Sequence, residues 1–323
     1  MIHTSLKIGN FTVHNRLVMP PMQSNFAEQG MVGSGTLDFY RSRAKSGKIG
    51  LVVTEHCFIN RQGMANAMQL SMAEDKCIEG FKRLTDTIHE CGSRTIAQIN
   101  HVGSAAKSAI TGTEVLAPSA LPHGRKNDAM PRPMTSDDIK RVVEDFALAA
   151  LRSKKAGYDG VEIHSCHGYL LNQFYSPLLN RREDEYGGCV ENRIRLHLEV
   201  IDAVRGLCGE DYPVAVRLGG CDYMQGGTVF EDSIVAVQAF EKAGVSLIDL
   251  SGGLCGTSLP MRRGPVFRDM AEAIKPHVSV PMIMTGGITD GETANMLLEE
   301  GCADLIGVGR ALLRDADWAE KNI

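Results

Sequence analysis

Eight short, mainly apolar runs recur along the chain: Leu17 to Met19, Gly50 to Thr54, Thr95 to Ile99, Val161 to His164, Val214 to Leu218, Leu247 to Leu250, Met282 to Thr285 and Leu305 to Val308. They lack the strict polar alternation of a half-exposed strand and read as strands buried on both faces. The stretches between them carry helical spacing or are long loops. The clearest helix spans about 137–156, with Thr135 or Ser136 as N-cap and Ile139, Val142, Val143, Phe146, Ala149 and Ala150 on one face. It stops at Gly157 and leads into Val161-Glu162-Ile163, and the same order recurs at Lys242-Ala243-Gly244 before Leu247 and Glu300-Gly301 before Leu305. No GxGxxG follows an early strand, so the repeat predicts an α/β protein of the (β/α)8 TIM-barrel type and not an open dinucleotide-binding sheet.

Two segments fall outside the repeat. Leu6 to Val13 reads as a hairpin turning at Gly9-Asn10, an N-terminal cap (residues 1–14) placed to plug one end of the barrel. Gly103 to Pro133 holds four prolines, at 118, 122, 131 and 133, without sustained periodicity, and a loop of that length in a compact domain reads as a lid. At roughly 150 residues per domain the 323 residues would make about two domains, but one barrel with these additions accounts for 1–323 as a single domain.

Composition narrows the function classes. Hydrophobic residues at 43% and charged residues at 23% fit a globular chain and exclude disordered or coiled-coil classes. The net charge is −5 and no basic block is present, so nucleic acid is not an expected partner. No apolar run of about 18 residues occurs and the first residues lack a signal-peptide pattern, which sets the expectation of a cytoplasmic protein with no membrane partner. Nine cysteines, none closer than 13 residues to the next, predict reduced thiols and show neither a disulfide framework nor iron–sulfur cluster ligands.

In such barrels the chemistry sits where strands end and loops begin. The polar residues there are few: Pro20-Pro21-Met22-Gln23, Glu55-His56, Gln98 with Asn100-His101, His164 with His167 and Tyr169, Arg217, Ser251-Gly252-Gly253, Gly286-Gly287 and Gly309-Arg310. The last two loops fit a phosphate site, because glycine lets backbone amides approach an oxyanion and Arg310 adds a charged donor. Two imidazoles can polarise a substrate oxygen and a phenol can deliver a proton, so His164, His167 and Tyr169 are the candidate catalytic set. As a pair the histidines do not complete a ligand set, and no metal is expected. Arg217 closes a buried strand and needs a partner, whereas Gln98 offers a donor and an acceptor to a heterocycle. No lysine stands at a strand end, which counts against a Schiff-base aldolase.

Asn15-Arg16-Leu17, Pro20-Pro21-Met22, Gln98 to Gly103, His164-Ser-Cys-His-Gly-Tyr169-Leu-Leu-Asn-Gln-Phe174, Asn180-Arg-Arg182, Asp184-Glu-Tyr-Gly-Gly188, Glu191-Asn-Arg193 and Gly307-Val-Gly-Arg310 together resemble the old yellow enzyme family of FMN-dependent ene-reductases. The resemblance implies FMN at the C-terminal ends of the strands and NADH or NADPH as co-substrate. Pro20, Pro21, Met22, His56, Gln98 and Arg217 would surround the flavin ring. Ser251, Gly253, Gly286, Gly287, Gly309 and Arg310 would surround its phosphate. His164 and His167 would hold the activating oxygen of a small α,β-unsaturated substrate, flavin N5 would give hydride to the β-carbon, and Tyr169 would protonate the α-carbon.

Three features depart from the family pattern: Gln23 after the Pro-Met pair, His56 where a small residue is common, and a chain that ends soon after Arg310. The last allows either a short complete member or the barrel portion of a dienoyl-CoA or enoate reductase type protein. A flavin amine or alcohol dehydrogenase of the trimethylamine dehydrogenase type, a flavin-free phosphate-binding isomerase or aldolase, and a non-catalytic flavin module are the alternatives. Substrate, nicotinamide choice and homo-oligomeric state are open at this level.

Overall fold

A computed structural model describes residues 1–123, 130–257, 259 and 263–323. A hairpin of β1 (Leu6–Ile8) and β2 (Phe11–Val13) precedes the barrel. The barrel strands are β3 (Leu17–Met19), β4 (Leu51–Phe58) and β5 (Arg94–Asn100), then β8 (Gly160–Ser165), β9 (Val214–Gly219), β10 (Leu247–Ser251), β11 (Met282–Thr285) and β12 (Leu305–Gly307). Between them in sequence, β6 (Leu116–Ala117) and β7 (Arg132–Pro133) form a separate parallel pair. Every barrel pairing is parallel and β12 returns to β3, which closes an eight-stranded barrel at the eight predicted runs.

The predicted long helix runs over Ser136–Lys155 with Thr135 as its N-cap. A capping box holds its start: the Asp138 amide donates to Thr135 Oγ1 at 3.2 Å, and the Thr135 amide donates to Asp138 Oδ2 at 2.8 Å. After the helix, Gly157 takes φ +87°, as do Gly244 at +89° and Gly301 at +73° after theirs. These left-handed residues turn each helix back toward the next strand, a conformation that a Cβ disfavours.

Alternation along the strands stratifies the barrel interior. Val18, Leu51, Val53, Ile96, Ala215, Leu247, Ile283 and Leu305 form one buried apolar layer with Ile8, Phe11 and Val13 of the hairpin, which therefore seals the N-terminal end of the barrel. Two residues further along the strands the inward positions become Gln98, Arg217, Asp249 and Thr285, with Glu162 beside them. Another step brings Asn100, His164 and Ser251 to the C-terminal rim. An apolar floor thus supports a charged layer, and that layer supports the chemistry.

Two expectations need correction. The second barrel strand does not end at Thr54: it continues to Phe58, with its register against β5 shifting between Thr54 and Cys57. The stretch 103–133 is not a structureless lid. It contains short helices at Gly103–Ala105 and Ser108–Thr111 and the β6–β7 pair, while the 124–129 part of that expectation lies outside the described residues. Among the described residues no helix is long and apolar enough to cross a membrane.

Removing the Thr135 hydroxyl tests the helix start. Thr135→Ala should lower the unfolding free energy by about 1 kcal/mol, the typical worth of an N-cap, read from equilibrium urea denaturation. An unchanged midpoint would show that the box contributes nothing.

Candidate active site

Arg217 occupies the charged layer with only 5% of its surface exposed, its Nε 3.0 Å from Asp249 Oδ2. The pair is close but poorly aligned: Nε and both Asp249 carboxylate oxygens lack a hydrogen-bond partner among the described residues. Glu162 lies in the same layer, where Gln98 Nε2 donates to its Oε2 at 2.6 Å and its Oε1 is unpartnered. Burial drives both acids upward in pKa; repulsion from Asp249 adds to the rise at Glu162, and the Arg217 guanidinium opposes it at both. Two acids and one guanidinium in a dry layer favour retaining a proton on the acid pair.

Above this layer opens a cavity of about 420 Å³. It is lined by Arg217, His167 and Ser251 and by Pro20, Pro21 and Met22. Gly286, Gly287, Gly309 and Arg310 line it too, as do Arg263 and Arg314. Gly287 has φ +75°, and a Cβ there would collide with the Gly264 carbonyl, so the chain at this point must be glycine. At Gly309 a Cβ would meet only ordinary contacts, 3.4 Å from Pro20 and 3.6 Å from Met22. Protein packing does not demand that glycine; a ligand approaching the backbone would.

This arrangement fits FMN. The Arg217 guanidinium at the cavity would meet a polar ring edge, and Arg310 with the glycine backbone at 286, 287 and 309 would hold a phosphate. Of the residues expected around the flavin, Gln98 instead sits in the layer beneath, with its amide committed to Glu162. Gly253 does not border the cavity among the described residues. Its missing side chain makes room for the Asp222 carboxylate, so its glycine is explained by packing. Arg262, next to Arg263 in the sequence, lies outside the described residues.

Beside the cavity the aromatic rings cluster. His164 stacks on Tyr169 with ring centroids 4.7 Å apart, His167 is 5.4 Å from His164, and His56 lies 6.1 Å from His164 and 5.8 Å from Tyr169. The turn that presents them is strained, with His167 at φ +58° and Gly168 at +76°. The following helix, Leu170–Tyr175, pins it: Asn172 Oδ1 accepts from the Gly168 amide at 2.8 Å and Gln173 Nε2 donates to the Gly168 carbonyl at 2.7 Å. His167 Nε2 is 2.7 Å from Ser251 Oγ, which ties the turn to β10.

Burial, then the charges of His167, His56 and Arg217, hold the His164 pKa well below the ordinary imidazole value. Burial likewise takes His56 down to about 4 and Tyr169 up to about 12. At neutral pH His164 and His56 are therefore neutral imidazoles and Tyr169 a protonated phenol. Cys166, between the two histidines, was overlooked as a third group: its Sγ is 3.9 and 3.8 Å from His164 Nδ1 and Nε2. Near-equal distances to both nitrogens put the sulfur against the ring and not along either lone pair.

Sequence reasoning also missed Glu162, Asp249 and Gln69, and gave Glu55, which it placed at a strand end, no role. For Glu162 and Asp249 a signal existed, since each stands two residues before a rim residue, His164 and Ser251, on the same face of its strand.

A model of the NADH:flavin oxidoreductase / NADH oxidase family matches residues 2–322. The chain is 37% identical over 323 residues to an NADH oxidase of Thermoanaerobacter brockii, covering 98% of this chain and 49% of that protein, so it spans about half of that relative's length. It is also 37% identical over 321 residues to an NADPH dehydrogenase of Bacillus subtilis, covering 98% of this chain and 93% of that one. Among solved structures, an old yellow enzyme homologue from Zymomonas mobilis superposes with a TM-score of 0.86 at 28% identity, covering 99% of this chain and 91% of the other.

Glu55 gives the site a pH signature. Burial raises its carboxyl to about 7, against opposing hydrogen bonds from Ser24, whose Oγ donates at 2.5 Å and whose amide donates at 3.2 Å. The folded state then holds a proton that the unfolded chain releases near 4.5, so stability should fall as pH rises from about 4.5 to 7. Each pH unit in that window weakens the fold by up to about 1.4 kcal/mol. Glu55→Gln should flatten this slope in denaturation series at pH 5 and 8; parallel slopes in the two proteins would contradict the assignment.

Proposed function

The chain belongs to the NADH:flavin oxidoreductase / NADH oxidase family, and from that premise we propose that it is an FMN-dependent NAD(P)H oxidoreductase reducing activated carbon–carbon double bonds. One observation carries the reading: the same cavity is lined by Gly286, Gly287, Gly309 and Arg310 and by the buried Arg217, and His167, which also lines it, stands 5.4 Å from a neutral His164 stacked on the protonated phenol of Tyr169. Bound FMN would supply hydride transfer, taking hydride from a nicotinamide and giving it to an alkene carbon.

The protein's own groups supply the rest. Arg310, with the backbone at Gly286, Gly287 and Gly309, holds the phosphate. Pro20, Pro21 and Met22 make one wall of the ring pocket. Arg217 stabilises negative charge at the ring, because its guanidinium is buried and held in place by Asp249. His164 and His167 donate hydrogen bonds to the activating oxygen, which draws electron density from the double bond. Tyr169, kept protonated by burial, gives its phenolic proton to the α-carbon and regains one from solvent. The substrate class that this machinery suits is an enone, an enoate or an enoyl thioester.

Purified protein mixed with FMN should retain flavin absorption on gel filtration; loss of all flavin would end the reading. Arg310→Ala should weaken FMN binding by about 1.5–3 kcal/mol, the size of a charged hydrogen bond, and an unchanged titration curve would refute the phosphate assignment. In stopped-flow experiments, Tyr169→Phe should leave bleaching of the flavin by the nicotinamide intact and slow its return with enone by about 100-fold. Equal loss in both half-reactions would contradict the proton-donor role.

A further inference from the structure

His56, expected at the flavin ring by resemblance, is not among the described residues that line the cavity; it joins the aromatic cluster instead. It stands inside the register shift of β4, between Thr54 and Cys57, and this brings its ring beside both His164 and Tyr169. A chain of fully buried amides fixes its protonation. Gln69 Oε1 accepts from the Ala65 amide at 2.7 Å, which sets the orientation of the Gln69 side chain. Its Nε2 must therefore be the end that meets His56 Nδ1 at 2.7 Å and Asn100 Oδ1 at 2.7 Å. Asn100 Oδ1 also stands 3.3 Å from Nδ1 and the His56 carbonyl 3.1 Å from Gln69 Nε2, but the two 2.7 Å contacts take the two amide hydrogens, and an N–H facing Nδ1 at that distance leaves no room for a proton there, so Nδ1 accepts. The neutral ring then bears its hydrogen on Nε2, which has no partner among the described residues and is not sealed from solvent. Gln69 and Asn100 are both 0% exposed, and two sealed amides committed to one partly exposed imidazole mark that ring's orientation as what the network determines.

We propose that His56 is a specificity-determining hydrogen-bond donor of the substrate pocket, with Gln69 as the positioning residue that selects its Nε2–H form. The preferred alkenes are those whose activating group presents two acceptor oxygens, such as a carboxyl, a carboxylic ester or a nitro group. This deepens the ene-reductase reading and rests on it. One carbonyl oxygen has two lone pairs, and in the proposed reading His164 and His167 supply a donor for each, His167 from Nδ1 while Ser251 Oγ–H donates to its Nε2; a third donor is useful only to a second oxygen. Burial keeps His56 neutral, so it recognises that oxygen by direction and not by charge.

Two size-matched alkenes test this with the FMN-loaded enzyme: 1-nitrocyclohexene, with two acceptor oxygens, and cyclohex-2-enone, with one. His56→Phe keeps a ring and removes the donor. It should lower kcat/KM about tenfold more for the nitroalkene than for the enone, and His56→Gln, which restores a donor, should recover part of that difference. Equal losses on both alkenes would overturn the proposal. Nitrogen-15 NMR of labelled histidine in the same holoenzyme reads the positioning role without turnover. His56 should show an unprotonated Nδ1 in the native chain and a tautomer mixture in Gln69→Leu; a proton on Nδ1 of the native chain would overturn the Gln69 assignment. A native enzyme that reduces neither alkene would instead overturn the functional reading on which the selectivity rests, whatever the tautomer.

Discussion

One buried guanidinium organises this barrel. Arg217 sits in the second interior layer, and a charge so placed is tolerable only with an anion in reach. Asp249 on the adjacent strand provides it at 3.0 Å, and strand pairing sets Arg217 directly between His164 and Asp249. The apolar hairpin beneath then has a physical purpose. By closing the N-terminal end with Ile8, Phe11 and Val13 it keeps water from the charged layer, so that layer's field is felt above and is not screened from below.

The consequences run upward. Arg217 contributes to the depressed pKa of both His164 and His56, adding to burial in keeping the imidazoles neutral. Among the described residues Glu162 Oε1 and the Asp249 oxygens accept no hydrogen bond, so the ion pair with Arg217 and the Gln98 contact are what hold this layer. The cavity above it is lined by Gly287, in a left-handed turn that no side chain could share, and by Arg310. A buried guanidinium, glycine backbone and further arginines around one cavity suit a ligand with a polar ring and a phosphate, as proposed for flavin mononucleotide.

Much of this was legible in the sequence because barrels write themselves locally. All eight strands fell on apolar runs, and the glycines after three helices marked where each chain segment turns. The need of Arg217 for a partner could be argued from its place at the end of Val214-Ala215-Val216, but not the identity of that partner. Asp249 stands 32 positions away and is set by strand register. The irregularity of β4 was invisible for a related reason: it depends on pairing with β5, and it brings His56 to the cluster and Glu55 to Ser24. Gly253 was read as a phosphate contact when its neighbour is the Asp222 carboxylate, a packing fact that no local pattern encodes. Resemblance supplied the cofactor and the catalytic roles, and membership of the family bears out the flavin and nicotinamide expectations.

The central claim is that the buried guanidinium, the cavity and the imidazole–phenol cluster act as one site for adding hydrogen across a polarised double bond. It is tested most directly by one anaerobic turnover in D2O. Enzyme carrying FMN is reduced with an equivalent of protiated nicotinamide, mixed with one equivalent of an activated alkene, and the product is analysed by mass spectrometry and NMR. The account predicts one saturated product per flavin, with deuterium at the α-carbon delivered through the exchangeable Tyr169 proton. Recovery of unchanged alkene with the flavin still reduced would contradict it.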